Sequence, residues 1–274
     1  NDMVVNVVRH FQDPDVPAVA GSLRVRNARA SLTTAMQALE YLLSIQLAKI
    51  GLSEWNVVNN VSGAFGAFRR SFLQKIGGWD THTAEDLDIT LRIKNYFGRR
   101  PLRIPFEPRA IGHTDAPVTF RQFLMQRLRW DGDLFFLYVR KHRHSFTPRL
   151  LGWPNFLVVL VSGFFFQLVL PFIILGYFIV GLYSLTLSTF LVLAWLVYLV
   201  YLANTLLAYV VAVCMVSERP RQDLWLCWVV PLFPLFMFVM RCWSAVAILN
   251  EMIRRGHEET SMAPWWVLRK AKRF

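Results

Sequence analysis

Cysteine is scarce in this chain. Cys214, Cys227 and Cys242 all fall in or beside apolar segments and lack metal-ligand spacing, which excludes a thiolate metal site and leaves them as expected buried small hydrophobes. Charge is absent over a longer stretch: from Leu150 to Ser217 there is no Asp, Glu, Lys, Arg or His, and most residues are large and apolar. That run excludes an ordinary solvated surface. Acidic residues are also outnumbered, 18 against 30 basic ones, for a formal net charge of +12. Such an excess can mark a nucleic-acid binder, yet no reading-module fingerprint accompanies it, so no nucleic acid is expected as partner. The basic residues cluster beside apolar segments, in Arg140-Lys141-His142-Arg143-His144 and Arg269-Lys270-Ala271-Lys272-Arg273. Juxtamembrane Lys and Arg mark a cytoplasmic face and meet anionic headgroups. There is neither an initial Met nor a signal peptide; the first residues already suggest the interior of a domain, and a longer parent protein is expected.

What is present divides into two parts. Residues 1–148 have the pattern of a mixed α/β region. Met3 to Phe11 has helical spacing, Asp13-Pro14-Asp15 is a turn, and Val16 to Ala20 is a short strand closed by Gly21. Apolar residues recur at helical spacing from Ser31 to Ile50. Val57 to Phe68 is expected as a strand with a small-residue kink at Ser62-Gly63-Ala64, where another backbone or a ligand can come close. After a Gly77-Gly78-Trp79-Asp80 turn, Thr83 is expected to cap a helix through Leu87, Leu91 and Ile93 that ends at Gly98. Leu102 to Phe106 is a further strand, His113-Thr114-Asp115 a loop, and Phe120 to about Tyr138 a helix.

Residues 149–274 form the membrane part. The segments 156–183 and 187–216 each exceed the roughly 20 residues that a span requires. The segment 224–253 is interrupted by Pro231 and Pro234 and contains Arg241. With a cytoplasmic catalytic part, two spans return the chain to the cytoplasm at Arg219 and Arg221, and a third would export the basic tail. A re-entrant or interfacial pair of helices is therefore preferred over a third span. Trp225, Trp228, Trp243, Trp265 and Trp266 suit the headgroup zone. Phe164-Phe165-Phe166 is expected to face lipid, and Gln167, Tyr177 and Asn204 to line a polar path.

Two motifs carry chemistry. Glu85-Asp86-Leu87-Asp88 opens a helix, where the dipole favours ionised carboxylates held at a fixed terminus. In Gln126-Arg127-Leu128-Arg129-Trp130, residues 126, 129 and 130 share one helix face. An amide, a guanidinium fork and an indole suit a sugar joined to a diphosphate. Sugar transfer with inversion needs a base for the acceptor hydroxyl, positive charge for the leaving diphosphate and a surface for the acceptor ring. Asp88 is expected to face solvent or pair with Arg92. His142 and His144 are expected to be solvated beside the membrane rather than to bind metal.

In these motifs and their order the chain resembles the C-terminal half of membrane-embedded processive glycosyltransferases of family 2, the cellulose, hyaluronan and poly-N-acetylglucosamine synthases. The resemblance rests on Glu85-Asp86, on Gln126, Arg129 and Trp130, and on Val61-Ser62-Gly63-Ala64-Phe65, similar to the family's acceptor-binding strand. It implies a GT-A-like α/β fold, without its N-terminal nucleotide-binding half, followed by transmembrane and interfacial helices. Asp86, next to Glu85, would be the general base. Gln126, Arg129, Trp130, Ser62 and Gly63 would bind the acceptor and the donor diphosphate. Asp2 to Gly21 resembles the segment just after the family's metal-binding Asp-x-Asp, so the ligands for Mg2+ or Mn2+ are expected upstream, with none in this chain, and this polypeptide alone is expected to be inactive. The implied protein is a multi-pass inner-membrane hexosyltransferase with a cytoplasmic catalytic part, using a nucleotide-sugar, a UDP-sugar above all, to build and secrete a polysaccharide. Ala84 stands where many members have Thr, and no gating-loop motif follows the helices. Two other readings stay open: transfer of one sugar to a lipid carrier, and a non-catalytic scaffold or transport subunit.

Overall fold

The computed structural model describes residues 2–81 and 83–255. Helix α1 (Asp2–His10) forms where its spacing predicts. The strand after it does not stop at Gly21: β1 runs Ala18–Val25 with every residue buried. Gly21 is accommodated inside the strand because the Phe65 ring occupies the space a side chain would need. β1 is the centre of a three-stranded mixed sheet, antiparallel to β2 (Gly66–Phe68) and parallel to β3 (Phe106–Thr114). The parallel register jumps from Gly21 opposite Glu107 to Ser22 opposite Ile111. Pro108, which has no N–H to give the ladder, lies in the skipped stretch.

Two strand expectations need correction. Only Gly66–Phe68 of the stretch 57–68 pairs as a strand; Val57, Val58 and Val61 are buried by core packing, not by a ladder. The expected strand 102–106 is an approach segment in which Leu102 and Ile104 are buried. Pro101 and Pro105 there cannot donate, and β3 begins only at Phe106, placing His113 and Thr114 in a strand and not a loop.

Ser31 and Thr34 form a capping box that starts α2 (Leu32–Tyr41). This helix continues through π-type turns at Leu42–Leu47 into α3 (Ala48–Glu54), somewhat beyond the predicted end. After α4 (Arg70–Lys75), Gly77 and Gly78 take φ of 83° and 66°, and the turn forms where predicted. Helix α5 spans Glu85–Lys94, but Thr83 does not cap it. Ala84, left-handed at φ 44°, is the capping residue and supplies no side-chain bond. Thr119 and Gln122 form a second capping box at the start of α6 (Phe120–Phe135), which continues as a π-type segment, Phe136–Lys141, and is followed by the short α7 (Pro148–Leu151).

Three helical runs are long and apolar enough to cross a membrane. The first, Trp153–Ser184, comprises α8 (Trp153–Val158), a π-type stretch and α9 (Leu170–Ser184). The second, Leu187–Val216, is mostly α10 (Leu187–Val211). The third, Pro220–Arg254, joins α11 (Pro220–Asp223), a tight 3-10 stretch and α12 (Phe233–Arg254). Its prolines do not break it, because Pro231 falls in the 3-10 stretch and Pro234 in the first turn of α12, where a missing N–H is harmless. α12 packs along α6 and α9.

The apolar clusters cross the boundary between the two parts. Ala35, Met36 and Leu39 of α2 pack with Tyr209, Ala212 and Val213 at the end of the second apolar helix and Leu226, Val229 and Val230 of the third. Leu91 of α5 joins Phe136 and Leu137 against Val159, Leu168 and Ile248. Cys214 and Cys227 are exposed and Cys242 half-exposed, against the expectation of burial, because they occupy helix faces that the other described elements leave open or cover only in part. Phe165 and Phe166 point outward, whereas Phe164 packs on Tyr138 and Phe146. Trp265, Trp266 and the basic tail lie outside the described residues.

Candidate active site

The helix start at Glu85 and the small-residue loop before β2 are clipped together. The Gly63 amide donates to Asp86 Oδ2 at 3.0 Å, the Leu87 amide to Asp86 Oδ1 at 2.7 Å, and Asn60 Nδ2 reaches Oδ2 at 3.5 Å. Thr90 completes the clip: its hydroxyl donates to the Asp86 carbonyl at 2.7 Å and accepts from the Val61 amide at 3.0 Å. A β-carbon at position 63 would stand 3.0 Å from Glu85 Oε1 and 3.5 Å from Asp86 Cβ. Glycine is thus what lets this backbone approach two carboxylates. Behind the loop, buried Lys49 donates to the Asn60 carbonyl at 3.0 Å. Burial pulls Lys49 down to about 8, with the Asp86 carboxylate partly opposing that shift.

The second motif faces this carboxylate pair from α6. Gln126, Arg129 and Trp130 line the same cavity as Glu85, Asp86, Ser62 and Gly63, a space of about 880 Å3. All seven residues singled out from the sequence therefore meet in one place. The Gln126 Oε1 atom is buried there without a hydrogen-bond partner, an acceptor left over for a ligand. Trp130 is 39% exposed, which leaves indole surface open to the cavity. Arg127, to which the motif assigns no role, holds that ring. Its guanidinium lies 4.8 Å from the Trp130 ring centre and donates to Glu40 Oε2 at 2.6 Å.

The cavity continues between the apolar helices, lined by Gln167, Met237, Met240 and Arg241. Arg241 Nη1 donates to Gln167 Oε1 at 2.9 Å. Of the polar residues expected to line a path, only Gln167 does so. Tyr177 is 67% exposed, and Asn204 bonds the Val200 carbonyl of its own helix. Ser244 donates to Asp131 Oδ2 at 2.7 Å, tying α12 to α6 at the cavity wall. Burial pushes the Asp131 carboxyl up, against that hydrogen bond and the nearby charge of Arg127.

Asp88 does not face solvent. It is fully buried and accepts from Arg92 Nε at 2.9 Å, as the pairing expectation had it, and also from Lys141 Nζ and His142 Nε2 at 2.8 Å each. His142 is consequently buried and not solvated, while His144 is exposed. Burial by itself would raise the Asp88 carboxyl; the His142 hydrogen bond and the Lys141 and Arg92 charges outweigh it and hold the group at about 2. Two basic residues of a run that looked juxtamembrane thus fasten the acidic helix to the end of α6.

Chemically, one cavity brings together a carboxylate pair at a helix start, an open indole, an unsatisfied amide oxygen and a guanidinium. A family model described as glycosyl transferase family group 2 matches residues 1–266. The chain belongs to this family. A 121-residue stretch, 44% of the chain, is 34% identical to a "Probable glycosyltransferase YdaM" of Bacillus subtilis, covering 28% of that protein. Similar stretches are 32% identical over 120 residues to a poly-beta-1,6-N-acetyl-D-glucosamine synthase of Staphylococcus epidermidis and 33% identical over 126 residues to one of Staphylococcus aureus. These cover 43% and 45% of the chain but 28% and 29% of the synthases. Each match thus spans well under a third of the curated relative. Among the described residues no group of three or more His, Cys, Asp or Glu is placed to hold a metal ion.

Proposed function

We propose that this glycosyltransferase is an inverting hexosyltransferase that polymerises a polysaccharide from a nucleotide-sugar, a UDP-sugar above all, and passes the product across the membrane. One observation carries the reading: Asp86 and Trp130 border a single cavity that continues to Gln167 and Arg241 between the apolar helices. Asp86, fixed by the Gly63 amide, takes the proton of the acceptor hydroxyl as it attacks the sugar carbon. The Trp130 indole stacks on the acceptor ring, Gln126 Oε1 accepts from one of its hydroxyls, and Arg129 offers its guanidinium fork to the departing diphosphate. Ser62 and Gly63 form the floor on which the acceptor end lies, and Glu85 adds negative charge beside the base. A GT-A-like fold, a divalent ion held by residues outside this chain, a multi-pass inner-membrane location and a cytoplasmic catalytic face complete the proposal. Because the uridine and metal contacts are assigned elsewhere, turnover is expected from the full-length protein and not from residues 1–274 alone.

The test is Asp86→Asn in the full-length protein, assayed in membranes with labelled donors. UDP-N-acetylglucosamine heads the panel because of the synthases similar to this chain. Loss of a positioned base lowers the rate roughly 10²–10⁴-fold. Unchanged polymer output from that variant defeats the catalytic assignment, and a single lipid-linked sugar as sole product defeats the polymerase assignment.

A further inference from the structure

A second cavity, of about 490 Å3, lies where β1 and the turn into α2 meet the start of the third apolar helix. Arg24, Arg26, Arg29, Arg219, Asp223 and Trp225 line it, and Tyr41 lines both this cavity and the catalytic one. Its charges do not balance. Arg24 is buried and engaged, donating to Asp223 Oδ2 at 2.6 Å and to Glu218 Oε2 at 2.5 Å. Arg26 pairs with Asp115 at the exposed rim. Among the acidic side chains of the described residues, Arg219 approaches only Glu218 and Asp223, at 3.8 and 3.6 Å, and both of these already serve Arg24. Arg29 lies over the Trp225 ring at 5.2 Å and has no acidic partner among the described residues. Four guanidiniums thus meet three carboxylates. The Nε atoms of Arg24 and Arg219 are moreover buried without any hydrogen-bond partner, a costly state that an anion entering the pocket would relieve.

We propose that this pocket binds the phosphate of an anionic lipid headgroup. Guanidinium forks match the paired oxygens of a phosphate, the anion that glycerophospholipid headgroups carry at a membrane face. The position in the chain favours a lipid as the source, because Arg219 and Arg221 flank the start of the third helical run and Trp225 stands at the head of its apolar stretch, next to Leu224. This is the order of cation and aromatic belt at a bilayer surface. The shared Tyr41 wall links an occupied pocket to the catalytic cavity. The inference rests on the bilayer placement of the three helices and is independent of the transfer chemistry.

Full-length protein, purified in detergent, is titrated with phosphatidylglycerol or phosphatidylcholine and followed by native mass spectrometry. One saturable phosphatidylglycerol adduct is expected. The double variant Arg29→Gln, Arg219→Gln should weaken it roughly tenfold, while Arg29→Lys, Arg219→Lys, which keeps the charge but loses the fork, should fall between. If the double Gln variant does not fold, Arg29→Gln alone, at an exposed position, should still weaken the adduct several-fold. Equal retention of both lipids, or an adduct indifferent to these changes, overturns the site. Displacement of the lipid by millimolar inorganic phosphate, with a phosphate adduct in its place, reassigns the pocket to a soluble anion and overturns the lipid assignment. A full-length protein that stays monodisperse without detergent defeats the bilayer placement instead, so the two failures are distinguishable.

Discussion

Arg127 lies against the face of Trp130 while its guanidinium is held by Glu40, so that α2, through one ion pair, sets the orientation of an indole on α6. The two side chains of the ion pair are mostly buried, at 16% exposure each, and the contact is not a screened surface pair of negligible value. Replacing Arg127 by Met keeps apolar volume but removes both the charge over the ring and the partner of Glu40. The acceptor KM in the full-length enzyme is expected to rise about 3–10-fold, in line with a cation–π contact of roughly 1 kcal/mol. Arg127→Lys should fall between. A Met variant with unchanged acceptor KM shows that the indole needs no such support.

Asp88 fixes the other end of the same two helices. Its folded value of about 2 lies below the ordinary 3.8. The pairing therefore stabilises the fold fully at and above about pH 4, and this contribution fades as the pH falls toward 2. The depression corresponds to about 2 kcal/mol. Thermal midpoints of the full-length protein between pH 6 and 3 should drop faster for the wild type than for Asp88→Asn. At pH 7 the variant is expected to be about 3–5 kcal/mol less stable, because Lys141 and Arg92 lose a buried carboxylate. Parallel midpoint curves for the two proteins contradict this account.

The carboxylates, the small-residue loop and the Gln-x-x-Arg-Trp face were legible because each depends on local spacing: a helix start places Glu85 and Asp86, and the helical period aligns residues 126, 129 and 130. The long apolar runs were legible for the same reason. What escaped depends on contacts between distant segments. His142 looked solvated among cations, yet a carboxylate 54 positions earlier buries it. Val57, Val58 and Val61 are β-branched residues of the kind that strands favour, but Val58 and Val61 are buried by packing against Ile93 and Ile104, which residue type cannot separate from ladder pairing. Glu40 and Arg127 sit on different helices 87 positions apart, so neither motif hints at the pair. Cysteine exposure was misjudged because apolar surroundings in sequence do not say which side of a long helix is covered.

Gly63 gives the sharpest steric test of the loop. Even Ala there brings Cβ to 3.0 Å of Glu85 Oε1, so the carboxylate must shift. Gly63→Ala is expected to lower kcat about tenfold and Gly63→Val further, with thermal midpoints little changed because Gly63 and Ala64 are exposed. Full activity in the Val variant indicates that the acceptor end does not lie on this loop.

Lys49 tests the support beneath the loop through pH. Its folded value, about 8, is below the ordinary 10.5, so between these limits the unfolded chain holds the extra proton and stability rises with pH. The depression represents an unfavourable contribution of about 3 kcal/mol at pH 7, part of which is returned by the bond to the Asn60 carbonyl. Lys49→Met removes the desolvated charge and that bond together. The variant should be more stable than the wild type by about 1–2 kcal/mol at pH 7, and the difference should shrink to nothing by about pH 10. Its glycosyl-transfer rate should nevertheless fall, because the loop that presents the Gly63 amide to Asp86 loses its anchor. A Met variant that is both more stable and equally fast would mean that the buried cation serves neither the fold nor the loop.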